Sequence, residues 1–381
     1  MQTVKGGSQI CRNGEIMIEK PVYVTSSSLP SYEEYIEMIR PMWDTRKITN
    51  MGEYHKRLEG ELKEFLNVPH ISLMVNGHTA LEMVIQAMNF PKGSEIITTP
   101  FTFVSTTHAI IRNGMVPIFC DIKLSDYTID ESKIEDLITD KTVAIIPVHV
   151  YGNICNYSQI DRIAKKNNLK IIYDAAHTFG ESIDGISVEN LGDASVLSFH
   201  ATKVFNTIEG GAVCFSEEEL YEKLYNLKNF GIRSEEDVVA VGANGKMNEF
   251  CAAMGLCNLK YVRDEIRKRE EKTLYYDAHL SHKSNISIRK RDARIVYNYG
   301  YYPVLFSSEE QRNTVYKKLR ENNIYARKYF YPITADQQCF SGLYKNIDLK
   351  NARYVSERIL TLPMYSDLEE IEIERICNLI D

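Results

Sequence analysis

The sequence predicts an α/β fold: a large domain on a mostly parallel, helix-covered sheet of seven strands, followed by a smaller α+β domain. Three observations carry this prediction. Short β-branched runs alternate with segments of helical apolar spacing between residues 71 and 215, the pattern of strands joined by crossover helices. A second alternating segment follows a charged stretch that ends near Lys272. The chain has 381 residues, 44% of them apolar, enough for one large core and a smaller one. It contains no tandem repeat or low-complexity tract of the kind that builds arrays.

Residues 1–20 are set apart as an N-terminal stretch, either a native extension, an early start or an arm, to which no function is assigned. Residues 21–260 then hold an N-terminal segment, reaching about Asn67, and the large domain; 261–381 form the small one. The first strand of the sheet is expected at 71–75. Asn76-Gly77-His78-Thr79 turns from it into a helix at 79–89, because apolar residues 81, 84, 85 and 88 share one face. Free N–H groups at such a helix start attract anions, although many strand-turn-helix units bind nothing. A strand at 94–99 runs into Thr99-Pro-Phe-Thr-Phe103, whose aromatic rings suit either stacking on a flat heterocycle or core packing. A helix at 103–113 follows, then strands at 116–122 and 142–150 and a helix at 158–167.

The strand 170–173 delivers Asp174 to its carboxyl end, the edge at which open α/β sheets bind ligands. Read alone, that Asp serves equally as a cap for the next turn, and His177 as a satisfied core histidine. After the strand 195–199 comes the segment Ser198 to Ala212, which places Lys203 just past an apolar run and closes on paired glycines before a strand at 211–215. A lysine set among Ser, Thr, His and Gly is suited to reach a buried carbonyl and form a Schiff base. With 45 Lys and Arg residues in the chain, a solvated charge is the ordinary reading of any single one. Charged helical patterns run from Glu217 to about Lys272, and Arg263 to Lys272 mixes both signs as a solvated helix face does. The small domain is expected to contain a strand at 297–306, a helix at 308–322 and a closing helix at 368–380.

A net charge of −7 argues against nucleic acid as a bulk electrostatic partner. Eight cysteines without a C-x-x-C pair read as reduced residues of a cytoplasmic protein, and no spacing suggests a metal site. The sequence shows no signal peptide and no apolar span long enough for a membrane.

Six motifs give the chain a wider resemblance: Asn-Gly-His-Thr-Ala-Leu at 76–81, Pro-Val-His-Val-Tyr-Gly at 147–152, Asp-Ala-Ala-His at 174–177, Ser-Phe-His-Ala-Thr-Lys at 198–203, Glu-Gly-Gly-Ala at 209–212 and Gly-Ala-Asn-Gly-Lys-Met-Asn-Glu at 242–249. Together, from about Pro21 to the C-terminus, they resemble the fold-type I pyridoxal-phosphate enzymes, and within these the sugar aminotransferases of the DegT/DnrJ/EryC1/StrS family. The resemblance implies pyridoxal 5'-phosphate as cofactor, passing through pyridoxamine 5'-phosphate. It gives Lys203 the Schiff base, Asp174 the pyridine nitrogen, Phe103 the ring stack and His177 a place beside the ring. Gly77, His78, Thr79 and Ser198 would hold the phosphate, and Asn244 would reach it from the neighbouring subunit of a homodimer. Lys246 stands where many relatives have Arg, and Lys cannot supply the same bidentate fork.

The implied reaction is transamination in two halves, with Lys203 also acting as general base. Related sugar dehydratases carry His in place of that lysine. The residues round Lys203 look most like those of members that aminate C4 of dTDP-4-keto-6-deoxyglucose to dTDP-4-amino-4,6-dideoxyglucose, with glutamate as donor. Other nucleotide keto sugars (UDP- or GDP-4-keto, dTDP-3-keto), another fold-type I reaction and a non-catalytic relative are the alternatives. The sugar nucleotide is expected at the subunit interface near Asn50, Tyr329 and Tyr331, tyrosines that ordinary packing would also explain.

Overall fold

The computed structural model describes residues 9–12, 15–18, 20–340, 342–344 and 347–380. The apolar runs between 70 and 215 assemble into one sheet. Its strands are β1 (His70–Met74), β2 (Glu95–Thr98), β3 (Val116–Phe119), β4 (Thr142–Ile146), β5 (Lys170–Asp174), β6 (Ala194–Ser198) and β7 (Gly211–Phe215). Their spatial order is β1-β7-β6-β5-β4-β2-β3. Only β7 is reversed, pairing antiparallel with both β1 and β6; every other neighbouring pair is parallel. A parallel return needs a crossover, usually a helix. The connection from β6 to β7 contains none, so the chain comes back beside the strand it left.

Both faces of the sheet are covered, which is why its strands read as near-continuous apolar runs. The helix Gly77–Ala87 sets Leu81, Val84 and Ile85 against Ile96, Ile172, Val196 and Val213. On the opposite face Leu197, Phe199 and Ala212 meet Leu58 and Leu62 of the helix Glu53–Phe65 and Leu256 of the helix Glu249–Leu259. The expected helices at 103–113 and 158–167 are observed as Val104–Arg112 and Tyr157–Asn167.

A second, antiparallel sheet contains β8 (Ile286–Ile288), β9 (Tyr302–Phe306) and β10 (Ile359–Leu362), with β9 in the middle. Val304 and Leu360 pack there with Tyr276, Val315, Leu319, Ile373 and Ile376 from the helices Val262–Leu280, Glu309–Glu321 and Glu370–Asn378. Val22 joins the same core, because the strand Val22–Tyr23 pairs with Ile324–Tyr325. Of the N-terminal extension, Gln9–Arg12 pairs antiparallel with Glu15–Ile18; residues 1–8, 13–14 and 19 lie outside the described residues.

Three expectations are corrected. The strand anticipated at 297–306 begins only at Tyr302. Tyr299 takes a left-handed conformation (φ 53°), and the Asn298 amide donates to the carbonyls of His177 (3.0 Å) and Phe179 (3.2 Å), drawing 297–301 onto the exit of β5. The charged helical stretch after Glu217 is interrupted: between the helices Glu218–Lys228 and Glu249–Leu259 the chain forms a non-helical excursion, bridged at Asn229–Asn244 and Ile232–Val238. On the helix Val262–Leu280, Arg269 is buried rather than solvated and donates to the Met364 carbonyl.

Candidate active site

Because β1, β4, β5 and β6 run parallel, their carboxyl ends meet at one edge of the sheet, and the turns that follow enclose a cavity of about 370 Å³. Asn76, Gly77, His78, Phe103, Asp174, His177, Ser198, Lys203 and Tyr329 all line it, bringing most of the sequence-predicted residues together.

The helix start comes first. The Asn76 side chain caps the helix by accepting from Thr79 N–H (2.8 Å), which leaves the N–H groups of Gly77 and His78 without a helical carbonyl to bond. A Cβ at Gly77 would lie 2.9 Å from Cβ of Ser198, so only glycine lets this turn close onto the end of β6. Two N–H groups, the positive end of a helix dipole and a serine hydroxyl thus converge, a fit for a phosphate group.

Asp174 is buried, and the contacts to its carboxylate are neutral: Thr106 Oγ1 donates to Oδ2 (2.7 Å) and Ala176 N–H to Oδ1 (3.2 Å). Burial pushes its carboxyl up from the ordinary range, against the lowering effect of those bonds and of Lys203. An acid in this state is stabilised by a cationic N–H, which a protonated pyridine nitrogen offers. Burial lowers the Lys203 amine to about 8, opposed by Tyr329 and Asp174. Burial, reinforced by Lys203, holds His177 well below the usual histidine range. Its Nδ1 accepts from Tyr151 N–H (3.0 Å), so the neutral ring carries its proton on Nε2. His78 lies 2.9 Å from Ser105 Oγ through Nδ1. Phe103 lines the cavity and is exposed (57%), leaving its ring open to a flat heterocycle.

Four predicted residues lie outside this lining. The N–H of Thr79 is engaged by Asn76. Tyr331 borders an adjoining cleft, and the buried Arg312 guanidinium lies over its ring at 4.8 Å. Asn50 is exposed with a left-handed backbone, and Asn244 is exposed on the excursion 229–248.

Other residues at the site escaped sequence reasoning. Thr106, which binds Asp174, lies in the Thr-rich run after Phe103. Tyr301 receives a hydrogen bond from Lys203 Nζ (3.1 Å); its only sequence signal was the Asn-x-Gly break at 298–300, hidden in an apparent strand. Arg327 also lines the cavity and donates to the Tyr329 hydroxyl (2.8 Å).

A lysine amine and a buried acid at the carboxyl edge of such a sheet give the protein the frame of an α/β enzyme. More specifically, the chain belongs to the DegT/DnrJ/EryC1/StrS aminotransferase family, whose model matches residues 31–381. It is 43% identical over 365 residues to a dTDP-4-amino-4,6-dideoxy-D-glucose transaminase of Shigella dysenteriae, covering 95% of this chain and 99% of the relative. A protein of the same name from Escherichia coli is 39% identical over 370 residues, covering 96% and 99%. The solved structure of DesI in the presence of its TDP-sugar product superposes with a TM-score of 0.90 at 27% identity, over 95% of this chain and 92% of that one. Among the described residues no helix is long and apolar enough to cross a membrane, and no cluster of His, Cys, Asp and Glu is arranged to hold a metal.

Proposed function

We propose that the protein is a pyridoxal-phosphate-dependent transaminase that moves the amino group of glutamate to C4 of dTDP-4-keto-6-deoxyglucose, giving dTDP-4-amino-4,6-dideoxyglucose, and that it works as a cytoplasmic homodimer. The observation that carries the catalytic part is the pairing of Lys203 with Asp174 in one cavity beside an open helix start. The substrate rests on relatives of that name matching nearly the whole chain at 43% and 39% identity. On this reading residues 21–260 form the cofactor-binding domain and 261–381 the small domain; the core around β9 supports the division, although Val22 joins that core and Phe101, Phe119 and Tyr151 pack with Phe330, Ile333 and Val355 across it.

The cofactor, when bound, supplies an electron sink and carries the amine between the two substrates. Everything else falls to the protein. Gly77, His78 and Ser198 would hold the phosphate through N–H groups and a hydroxyl, and Asp174, its orientation set by Thr106, would keep the pyridine nitrogen protonated. His177, neutral and fixed by Tyr151 N–H, would lie beside the ring, and Phe103 would cover it. Lys203 would hold the cofactor through Nζ, and its free amine would take and return protons, a role suited to an amine whose pKa is lowered to about 8. Tyr329 borders the sugar, while Asn50, Tyr331 and Asn244 act where a second subunit completes the site.

The test offers dTDP-4-keto-6-deoxyglucose, its 3-keto isomer and the UDP- and GDP-4-keto sugars side by side with glutamate, identifying products by mass and NMR. The dTDP-4-keto sugar is expected to win in kcat/KM by more than about tenfold, the discrimination that one or two hydrogen bonds supply. Preference for another sugar would overturn the substrate and leave the transaminase standing. A protein that gains no visible absorbance with pyridoxal phosphate would overturn both.

A further inference from the structure

A lysine that both bonds to carbon and moves protons must come back to one place each time it is released, yet its amine rides on a flexible four-carbon stem. Nζ of Lys203 donates to the Tyr301 hydroxyl at 3.1 Å, and among the described residues no other group hydrogen-bonds to that nitrogen.

Tyr301 is itself held on several sides. Its ring lies against His177 (centroids 4.3 Å apart) and near Tyr151 (5.9 Å). The loop that carries it is tied to the exit of β5 by the Asn298 amide, whose oxygen also accepts from Gly300 N–H (2.9 Å). The hydroxyl is therefore fixed to the segment bearing Asp174 and His177, although Tyr301 is 98 positions from Lys203 in sequence. Burial keeps the phenol protonated, with Arg269 and Arg327 pulling its pKa down and Asp174 pushing it up. A protonated phenol accepts from an ammonium and donates to a neutral amine, so this contact survives the change of protonation that a proton-moving nitrogen undergoes.

We propose that Tyr301 is a positioning residue for the reaction, its hydroxyl being the station at which the free amino group of Lys203 is held between bond-forming events. The proposal rests on the transaminase reading above. The role makes and breaks no covalent bond; a hydrogen bond to Nζ forms on release and is given up on reattachment.

The test uses Tyr301→Phe, which keeps the ring, with Tyr301→Met as a second variant of similar bulk if thermal unfolding shows the first to be poorly folded. In full-length protein stripped of cofactor, an amine-selective reagent reads the fraction of Lys203 modified against pH, by peptide mass. The charged groups facing Nζ, namely Asp174 and the titratable Tyr329 and His177, are unchanged in the variant. A hydroxyl favours the charged donor more than the neutral one, so its loss should move the labelling midpoint down by about half to one pH unit. In holoenzyme, kcat should fall by about fivefold to tenfold with KM for both substrates within about twofold and the colour of bound cofactor retained. An unmoved labelling midpoint, or an unchanged kcat, would overturn the proposal. Absence of turnover by the wild-type protein with every sugar offered would strike the proposed function instead, and is told apart because labelling requires no turnover.

Discussion

Asp174 and Lys203 share one cavity, and burial pushes their pKa values towards each other. With its pKa lowered to about 8, the Lys203 amine is neutral far more often near neutral pH than a lysine at its ordinary 10.5. On the proposed mechanism nucleophilic attack and proton abstraction both need the neutral form, so the same burial that makes the charge costly would supply the reactive species. Asp174 carries the complementary requirement, since its task on the proposed mechanism calls for a charge. Asp174→Asn retains a hydrogen-bonding side chain of the same size but cannot hold a neighbouring nitrogen protonated. Each unit of lost pKa shift is worth about 1.4 kcal/mol, so kcat should fall by about a hundredfold or more while cofactor affinity, measured by spectroscopic titration, falls less. A near-normal rate in the Asn variant would return Asp174 to the bland reading of a turn cap.

The elements that present these residues differ in how far sequence discloses them. All seven strands of the main sheet were legible, because strands buried on both faces are apolar throughout and the helices between them carry a clear 3.6-residue period. The turns at 76–79, 174–177 and 198–203 were legible because their residues form motifs. The loop 297–301 was not, since its course depends on one amide reaching carbonyls about 120 positions away, and its Tyr-rich composition imitates a strand. Glu249 gives a similar case: it closes the motif at 242–249, but nothing local reveals what it does. In the structure its buried carboxylate accepts from the N–H groups of Gly52 (3.1 Å), Tyr54 (2.9 Å) and His55 (3.2 Å), capping the helix Glu53–Phe65 from a distant part of the chain. A Cβ at Gly52 would lie 2.6 Å from its Oε2, so the turn is shaped to the acid. Glu249→Ala strands these donors in a buried place, and a loss of about 2–4 kcal/mol is expected in urea unfolding. Glu249→Gln, which keeps one acceptor, should cost less. Equal stability of the Ala variant would show that solvent replaces the carboxylate.

At the scale of the molecule, one chain accounts for the floor of the cavity and leaves other predicted contributors outside it. The excursion 229–248 projects Val238 (64% exposed) and Val241 (89% exposed) along with Asn244, and grouped exposed apolar side chains are what a partner surface covers. A second copy related by a two-fold axis would use the same patch reciprocally, and in the proposed homodimer Asn244 of each chain would then complete the other's phosphate site. The arrangement makes a quantitative prediction. Lys203→Ala should be inactive and Asn244→Ala strongly impaired. A heterodimer of the two has one site carrying both defects and one site wholly wild-type. Random reassembly of equal amounts gives heterodimers in half the population, so roughly a quarter of wild-type activity should reappear on mixing. The measurement is the transamination rate after the two variants are dissociated together, reassembled and compared with each variant treated alone. Recovery of no activity above the sum of the separate variants, with exchange of subunits verified by mass, would mean that each chain builds its site unaided and that Asn244 serves only its own loop.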